Sequence, residues 1–520
     1  MSRSASRRIL TTLALLWMLL LASCVRPDPN AVNTTPPSMI AVTNAVATAV
    51  ASGEDLTTPV VALLGTPLPQ YDGVPTPDTP HYDSASAVQA GGQPLHTVNV
   101  GETLGIIAQQ YGTTVEELVG LNNLDNPDII HVGQQLVVPG EPVELQVGPA
   151  FKIIPDSELV YGPAAADFDL TTFLTTMNSH LLRYTEEVEG QTMTGPQIVQ
   201  LIADRYSVNP RLLLSVLEYR AGWVTQASAP TMSYILGYRS PGVDSLYGQL
   251  NWAANLLNLG FYGRSEGGLH QLTVDGGPVL FDPTINDGTA GVQLWLASHN
   301  DATLDIWLGE TGPDGFFAAY TRLFGNPFAY TVEPLLPDNL EQPELALPWA
   351  EGETWYFTGG PHGAWNTGSS WGALDFAPPG DQLGCVQTDL WTTAMADGIV
   401  TRSGNGAVVV DLDGDGYAGT GWAITYMHLE TRDRIPVGTD VKIGDRLGHP
   451  SCEGGVSNGT HVHLVRSYNG RWINADGDLP FIIGGWVSQG LGSEYDGYLV
   501  RGDEVREACA CRDEMNTITR

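Results

Sequence analysis

The run Cys452-Glu453-Gly454-Gly455-Val456-Ser457-Asn458-Gly459-Thr460-His461-Val462-His463 decides how the last third of this chain is read. Side chains at i and i+2 of a strand share a face, so His461 and His463 project into one groove. The glycines ahead of them let the loop come close to a bound chain. On both sides the texture is short strands and Gly-rich turns, at 398–404, 407–413, 422–429, 445–450 and 460–470. That pattern predicts a compact antiparallel β domain over residues 345–505. His428 ends one of these strands, and upstream stand His362, in Gly360-Pro361-His362, and Asp375, in Leu374-Asp375-Phe376. Two His and one Asp make a tetrahedral metal set with a fourth position left for water.

At these residues the chain resembles the lysostaphin-type zinc peptidases, and most of all their β-lytic or staphylolytic branch. The resemblance rests on two patterns, Gly360-Pro361-His362…Leu374-Asp375-Phe376 and Cys452-Glu453-Gly454-Gly455…His461-Val462-His463. The commoner branch sets its first His four residues before the Asp, a place held here by Trp371, whereas His362 precedes Asp375 by thirteen residues. The longer spacing is that of the β-lytic branch. The resemblance implies one Zn2+ per chain on His362, Asp375 and His463. His428 and His461 would line the reacting carbonyl, one as base and the other stabilising the oxyanion. It also implies a disulfide from Cys452 to an earlier cysteine, and Cys385 is the one available. Cys509 and Cys511 sit badly for a bridge to each other if both lie on a strand. The residues after the His pair are Leu464, Val465 and Arg466, where relatives often carry Phe-Glu. Asp411, Asp413, Asp415 and Gly416 look like the start of a calcium loop, but Trp422 holds the place of the bidentate Glu of an EF-hand, so a solvated hairpin is expected.

Upstream, residues 160–335 read as mostly helical, with apolar periodicity at 197–206, 211–220, 250–260 and 289–297. The stretch 207–223 weakly resembles the lysozyme-like core of lytic transglycosylases. The aligned register puts Arg220 where that family has its acid, and Glu218 reads as a helix-surface charge. Residues 94–140 show strand, helix, helix, strand and resemble a LysM domain. The matching residues are His96-Thr97-Val98, Gly101-Glu102-Thr103-Leu104, Ile107-Ala108, Tyr111-Gly112, Leu121-Asn122-Asn123 and Val132-Gly133-Gln134-Gln135-Leu136. That resemblance implies binding to glycans containing N-acetylglucosamine through the two loops between strand and helix.

The N-terminus carries the address. Arg3, Arg7 and Arg8 precede a short apolar run that ends in Leu21-Ala22-Ser23-Cys24. Residues 1–24 therefore read as a lipoprotein signal peptide, and the tetrad looks like a bacterial lipobox with lipidation at Cys24. Residues 25–93, rich in Pro, Thr and Ala, read as a disordered tether. The chain has 520 residues, so length alone suggests roughly three folded domains. The expected fold is multidomain: a small βααβ LysM domain, a mostly α-helical middle domain and a C-terminal antiparallel all-β metallopeptidase domain. The formal charge of −35 repels phosphate backbones, which argues against nucleic acid as a partner. The partners expected are peptidoglycan, glycan through LysM and peptide through the groove, and the membrane through the lipid. The location expected is the outer side of the cytoplasmic membrane and the cell wall. The rival reading is a non-catalytic wall-binding lipoprotein that regulates another hydrolase. In such regulators the zinc set is incomplete, and here it is complete.

Overall fold

The structure, a computed structural model, describes residues 95–98, 102–122, 124, 130, 134–139, 146–229, 233–266, 268–380 and 384–520. The signal segment, Cys24 and the tether lie outside the described residues, as do Gly101, Asn123, Val132 and Gly133 of the LysM pattern. Among the described residues no helix is long and apolar enough to cross a membrane.

The first folded unit pairs β1 (Leu95–Thr97) with β2 (Gln135–Val137), antiparallel, and sets α1 (Leu104–Gln110) and α2 (Val115–Asn122) between them. Leu104, Ile107, Leu118, Leu136 and Val138 form its small core. Asn122 does more than end a helix. Its amide donates to the Val137 carbonyl at 2.9 Å, and its Oδ1 accepts the Val137 N–H at 2.6 Å, which ties α2 to β2.

Seven helices follow: α3 (Leu170–Thr176), α4 (Gly195–Tyr206), α5 (Pro210–Ala221), α6 (Leu246–Ser265), α7 (Asp287–Ala297), α8 (Leu304–Glu310) and α9 (Phe316–Phe324). The four periodic runs of the sequence form α4 to α7. Thr194 and Gln197 make a reciprocal capping box at the start of α4, and the Ser245 hydroxyl accepts the Gly248 N–H at the start of α6. Glu218, on α5, accepts the N–H groups of Val224 and Thr225, both at 3.0 Å, and so fastens the turn that follows its own helix. Arg220 pairs with Glu310.

The C-terminal part is built on a nine-stranded sheet. Its strands are β3 (Thr354–His362), β4 (Ala373–Ala377), β5 (Gly398–Gly404), β6 (Ala407–Asp411), β7 (Trp422–Met427), β8 (Asp440–Val441), β9 (Val462–Tyr468), β10 (Arg471–Trp472) and, after a second sheet, β14 (Thr517–Thr519). They run in the order β8-β5-β6-β7-β9-β4-β3-β14, with β10 hairpinned on β9. β14 brings chain beyond residue 505 into this sheet. The second sheet holds β11 (Trp486–Gly490), β12 (Gly497–Arg501) and β13 (Glu504–Glu507), together with Ile482–Ile483.

Alternation along the strands divides the sheet's two faces. Leu374, Phe376, Val462 and Leu464 enter one core with Trp349, Trp355 and Trp486. Ala373 and Val465 point the other way and join Ala364 and Trp472 in the core of the helical unit. One face of the sheet thus closes the helical unit's core, while the other encloses a separate core. Two disulfides are present. Cys385 and Cys452 are joined with Cα atoms 5.8 Å apart. Cys509 and Cys511 are also joined to each other, against the strand-based expectation. They lie in a bend past the end of β13, where the Cys511 N–H donates to the Cys509 carbonyl and the Cα atoms come within 5.0 Å.

Candidate metal centre

β9 and β4 are antiparallel neighbours with His463 directly opposite Asp375, on the face turned away from the tryptophan core. β3 adds His362 at its end, across a bulge in its pairing with β4. The metal set expected from the sequence is thus brought together by three adjacent strands. His463 Nδ1 lies 3.1 Å from Asp375 Oδ1, His362 Nε2 lies 3.1 Å from His463 Nδ1, and His362 Nε2 lies 3.4 Å from Asp375 Oδ1. All three residues are buried.

The backbone fixes which ring nitrogen faces inward. His362 donates from Nδ1 to the Gly360 carbonyl at 2.8 Å, and His463 donates from Nε2 to the Ala364 carbonyl at 3.1 Å. A carbonyl only accepts, so each ring carries its proton on the outer nitrogen. In the neutral rings, His362 Nε2 and His463 Nδ1 therefore present lone pairs to each other and to a carboxylate oxygen. Three lone pairs at such distances repel unless a proton or a metal cation sits among them. The ligand atoms of a tetrahedral zinc, with bonds of about 2.0–2.1 Å, lie about 3.3 Å apart. The donor set fits zinc in number, chemistry and spacing.

The three side chains are strongly coupled electrostatically. Burial would raise the Asp375 carboxyl, but His362 and His461 beside it hold it well below the usual carboxylate range. Burial would lower His362, yet Asp375 outweighs it and raises the ring. Burial dominates at His463 and lowers it.

His461 and His428 stand at the rim of the set. His461 precedes β9, donates from Nδ1 to the Gly459 carbonyl at 2.7 Å, and brings Nε2 to 3.6 Å from Asp375 Oδ1. His428 follows β7 in the left-handed region, φ 60°, a conformation uncommon outside glycine that is met at functional sites. It donates from Nδ1 to the Glu453 carbonyl at 2.9 Å. Burial pushes its ring down to about 3, with the His461 and His463 charges acting in the same direction. The two rings lie 4.5 Å apart. Gly455 closes this side with φ +152°. A Cβ there would meet His428 Cε1 at 3.4 Å and the Trp365 ring at 3.6 Å.

Sequence reasoning passed over several contributors. Tyr495, in the turn between β11 and β12, stacks on His362 with ring centroids 4.1 Å apart. The carbonyls of Gly360, Ala364, Glu453 and Gly459 set the inward nitrogen of every imidazole, and backbone groups leave no trace in residue type. Asp411, Asp413 and Asp415 also converge, within 4.8 Å, but Asp411 already accepts N–H groups from Asp413 and Gly416 in its own loop.

Comparison with known proteins finds similar ones. The model described as LasA, N-terminal domain, matches residues 152–337, and the LysM domain model matches residues 96–139. Protease LasA of Pseudomonas aeruginosa is 26% identical over 349 residues, which cover 62% of this chain and 75% of that protein. N-acetylmuramoyl-L-alanine amidase XlyA of Bacillus subtilis is 41% identical over 58 residues, covering 11% of this chain and 20% of that protein. Among solved structures, the M23 metalloprotease pseudoalterin, described as from the deep sea, is 27% identical over 35% of this chain and 99% of its own, with a TM-score of 0.28. The chain is thus similar to Protease LasA, with the LasA N-terminal domain matched at residues 152–337 and a LysM domain at residues 96–139.

Proposed function

We propose that this chain is a zinc-dependent endopeptidase that hydrolyses peptide bonds of bacterial peptidoglycan and is targeted to the wall by LysM. The observation that carries the reading is the convergence of His362 Nε2, His463 Nδ1 and Asp375 Oδ1, with the other nitrogen of each ring held by a backbone carbonyl. The name Protease LasA denotes a protease, and XlyA, matched over 58 residues, is named for a muramoyl-alanine amidase, which accords with wall association. Zinc on these three residues would supply Lewis acidity towards a carbonyl and an activated water at neutral pH. His428 and His461 each keep Nδ1 on a backbone carbonyl and present Nε2 to the same space. One would accept the proton of the attacking water at Nε2, and the other, in its protonated form, would donate from Nε2 to the carbonyl oxygen as it gains charge. Burial keeps the His428 ring neutral. Gly455, lacking a side chain, leaves room beside His428 for an extended peptide.

The wall-binding unit lies in 94–140, the helical unit in 160–335 and the catalytic unit in 345–505, closed by β14. An exported, wall-associated protein suits both LysM and the relatives, and two acyl chains on Cys24 would add a stable membrane anchor.

Digestion of purified peptidoglycans tests the reading. Mass analysis of the soluble products should find new peptide termini on intact glycan. Zinc-loaded protein that binds the wall without cutting it would favour the regulatory reading, and cleavage confined to glycan bonds would overturn both.

A further inference from the structure

The segment 363–372 joins two of the metal-set residues, His362 and Asp375, and its Ala364 carbonyl orients the third, His463. Within the segment the Ala364 N–H donates to the Ser370 carbonyl at 2.9 Å and the Trp365 N–H to Ser369 Oγ at 3.0 Å, and further bonds come from the helical unit. Tyr206, buried at the end of α4, accepts from Asn366 Nδ2 at 2.9 Å and donates to Asn251 Oδ1 on α6 at 2.7 Å. Asn255, one turn further along α6, accepts the Gly368 N–H at 2.8 Å and donates to Thr367 Oγ1 at 3.3 Å. The backbones approach so closely here that a Cβ on Gly368 would fall 2.1 Å from the Asn255 carbonyl oxygen. Ala364 itself is buried in the helical unit's apolar core. Asn366 takes the left-handed conformation, φ 61°, so the turn it makes depends on the contacts of its side chain.

We propose that Tyr206 and Asn255 are positioning residues for the metal centre. Through Asn366, Thr367 and Gly368 they fix segment 363–372 and thereby the Ala364 carbonyl that keeps His463 Nδ1 turned towards His362 and Asp375. The inference rests on the reading of these three as zinc ligands. It gives the helical unit a part in metal affinity, which neither wall binding nor proton transfer requires of it.

The test is zinc affinity of the full chain, measured by competition with a chromogenic chelator at a temperature where every variant remains folded. Partners of a metal-binding imidazole are worth about 10–100-fold in affinity, and these act one step further out. The double variant Tyr206→Phe/Asn255→Ala should lose about tenfold. Asn255→Asp, which keeps an acceptor for the Gly368 N–H, should stay close to the parent. Ser207→Ala removes a bond across the same interface, to the Gly470 carbonyl, without touching the segment, and should leave zinc affinity unchanged. Parental affinity in the double variant, or an equal loss in Ser207→Ala, would overturn the proposal. A parent chain that takes up no zinc would instead overturn the reading on which it rests.

Discussion

His461 and His463 were legible from the sequence because their relation is local. Two residues apart on a strand, they share a face whatever the rest of the chain does. The relation of His362 to Asp375 is different. The intervening segment bulges out of the β3–β4 pairing and packs into the helical unit, so no simple period links the two residues, and only family resemblance coupled them. The roles of the two outer imidazoles belong to this scale. His428→Ala and His461→Ala should each retain zinc and lose on the order of 10² to 10⁴ in turnover. Assays of both variants on a short peptide substrate check this, and unchanged turnover in both would place the chemistry elsewhere.

At the scale of elements, amphipathic runs announced α4 to α7, and alternating strands announced most of the large sheet. The bend that joins Cys509 to Cys511 was hidden because a strand geometry was assumed where β13 had already ended. The Cys385–Cys452 bridge closes 67 residues and pins the loop that contains Glu453 and Gly455. Chain entropy assigns such a closure about 4 kcal/mol. Replacing both cysteines with serine should lower unfolding stability by about 2–4 kcal/mol under non-reducing conditions. Turnover should fall as well, because the Glu453 carbonyl that holds His428 loses its support. Chemical denaturation and kinetics on the same sample check both, and a variant equal to the parent in each would show the loop is held by other means.

Across the whole molecule, the packing of the helical core onto one face of the sheet could not be read from sequence. Contacts such as the Tyr262 hydroxyl accepting the Trp472 N–H join residues 210 positions apart, and local periodicity is silent about them. The interface also carries a titratable group. Glu266, half-buried at the end of α6, is pushed up to about 7 by desolvation, against the opposing pull of Ser370 and Arg471. A carboxyl raised above its unfolded value of 4.5 leaves stability intact below that value and costs it as pH rises through about 7. Glu266→Gln should therefore match the parent near pH 4 and exceed it at pH 8, by on the order of 1–3 kcal/mol. Equilibrium unfolding at the two pH values checks the sign, and a variant no more stable than the parent at pH 8 would contradict it.

The central claim, that His362, Asp375 and His463 form a zinc site, is tested most directly by the metal content of the purified full chain. Elemental analysis after gel filtration should find one zinc per parent chain and essentially none in His463→Ala, with both proteins folded. Full stoichiometric zinc in His463→Ala would contradict the account.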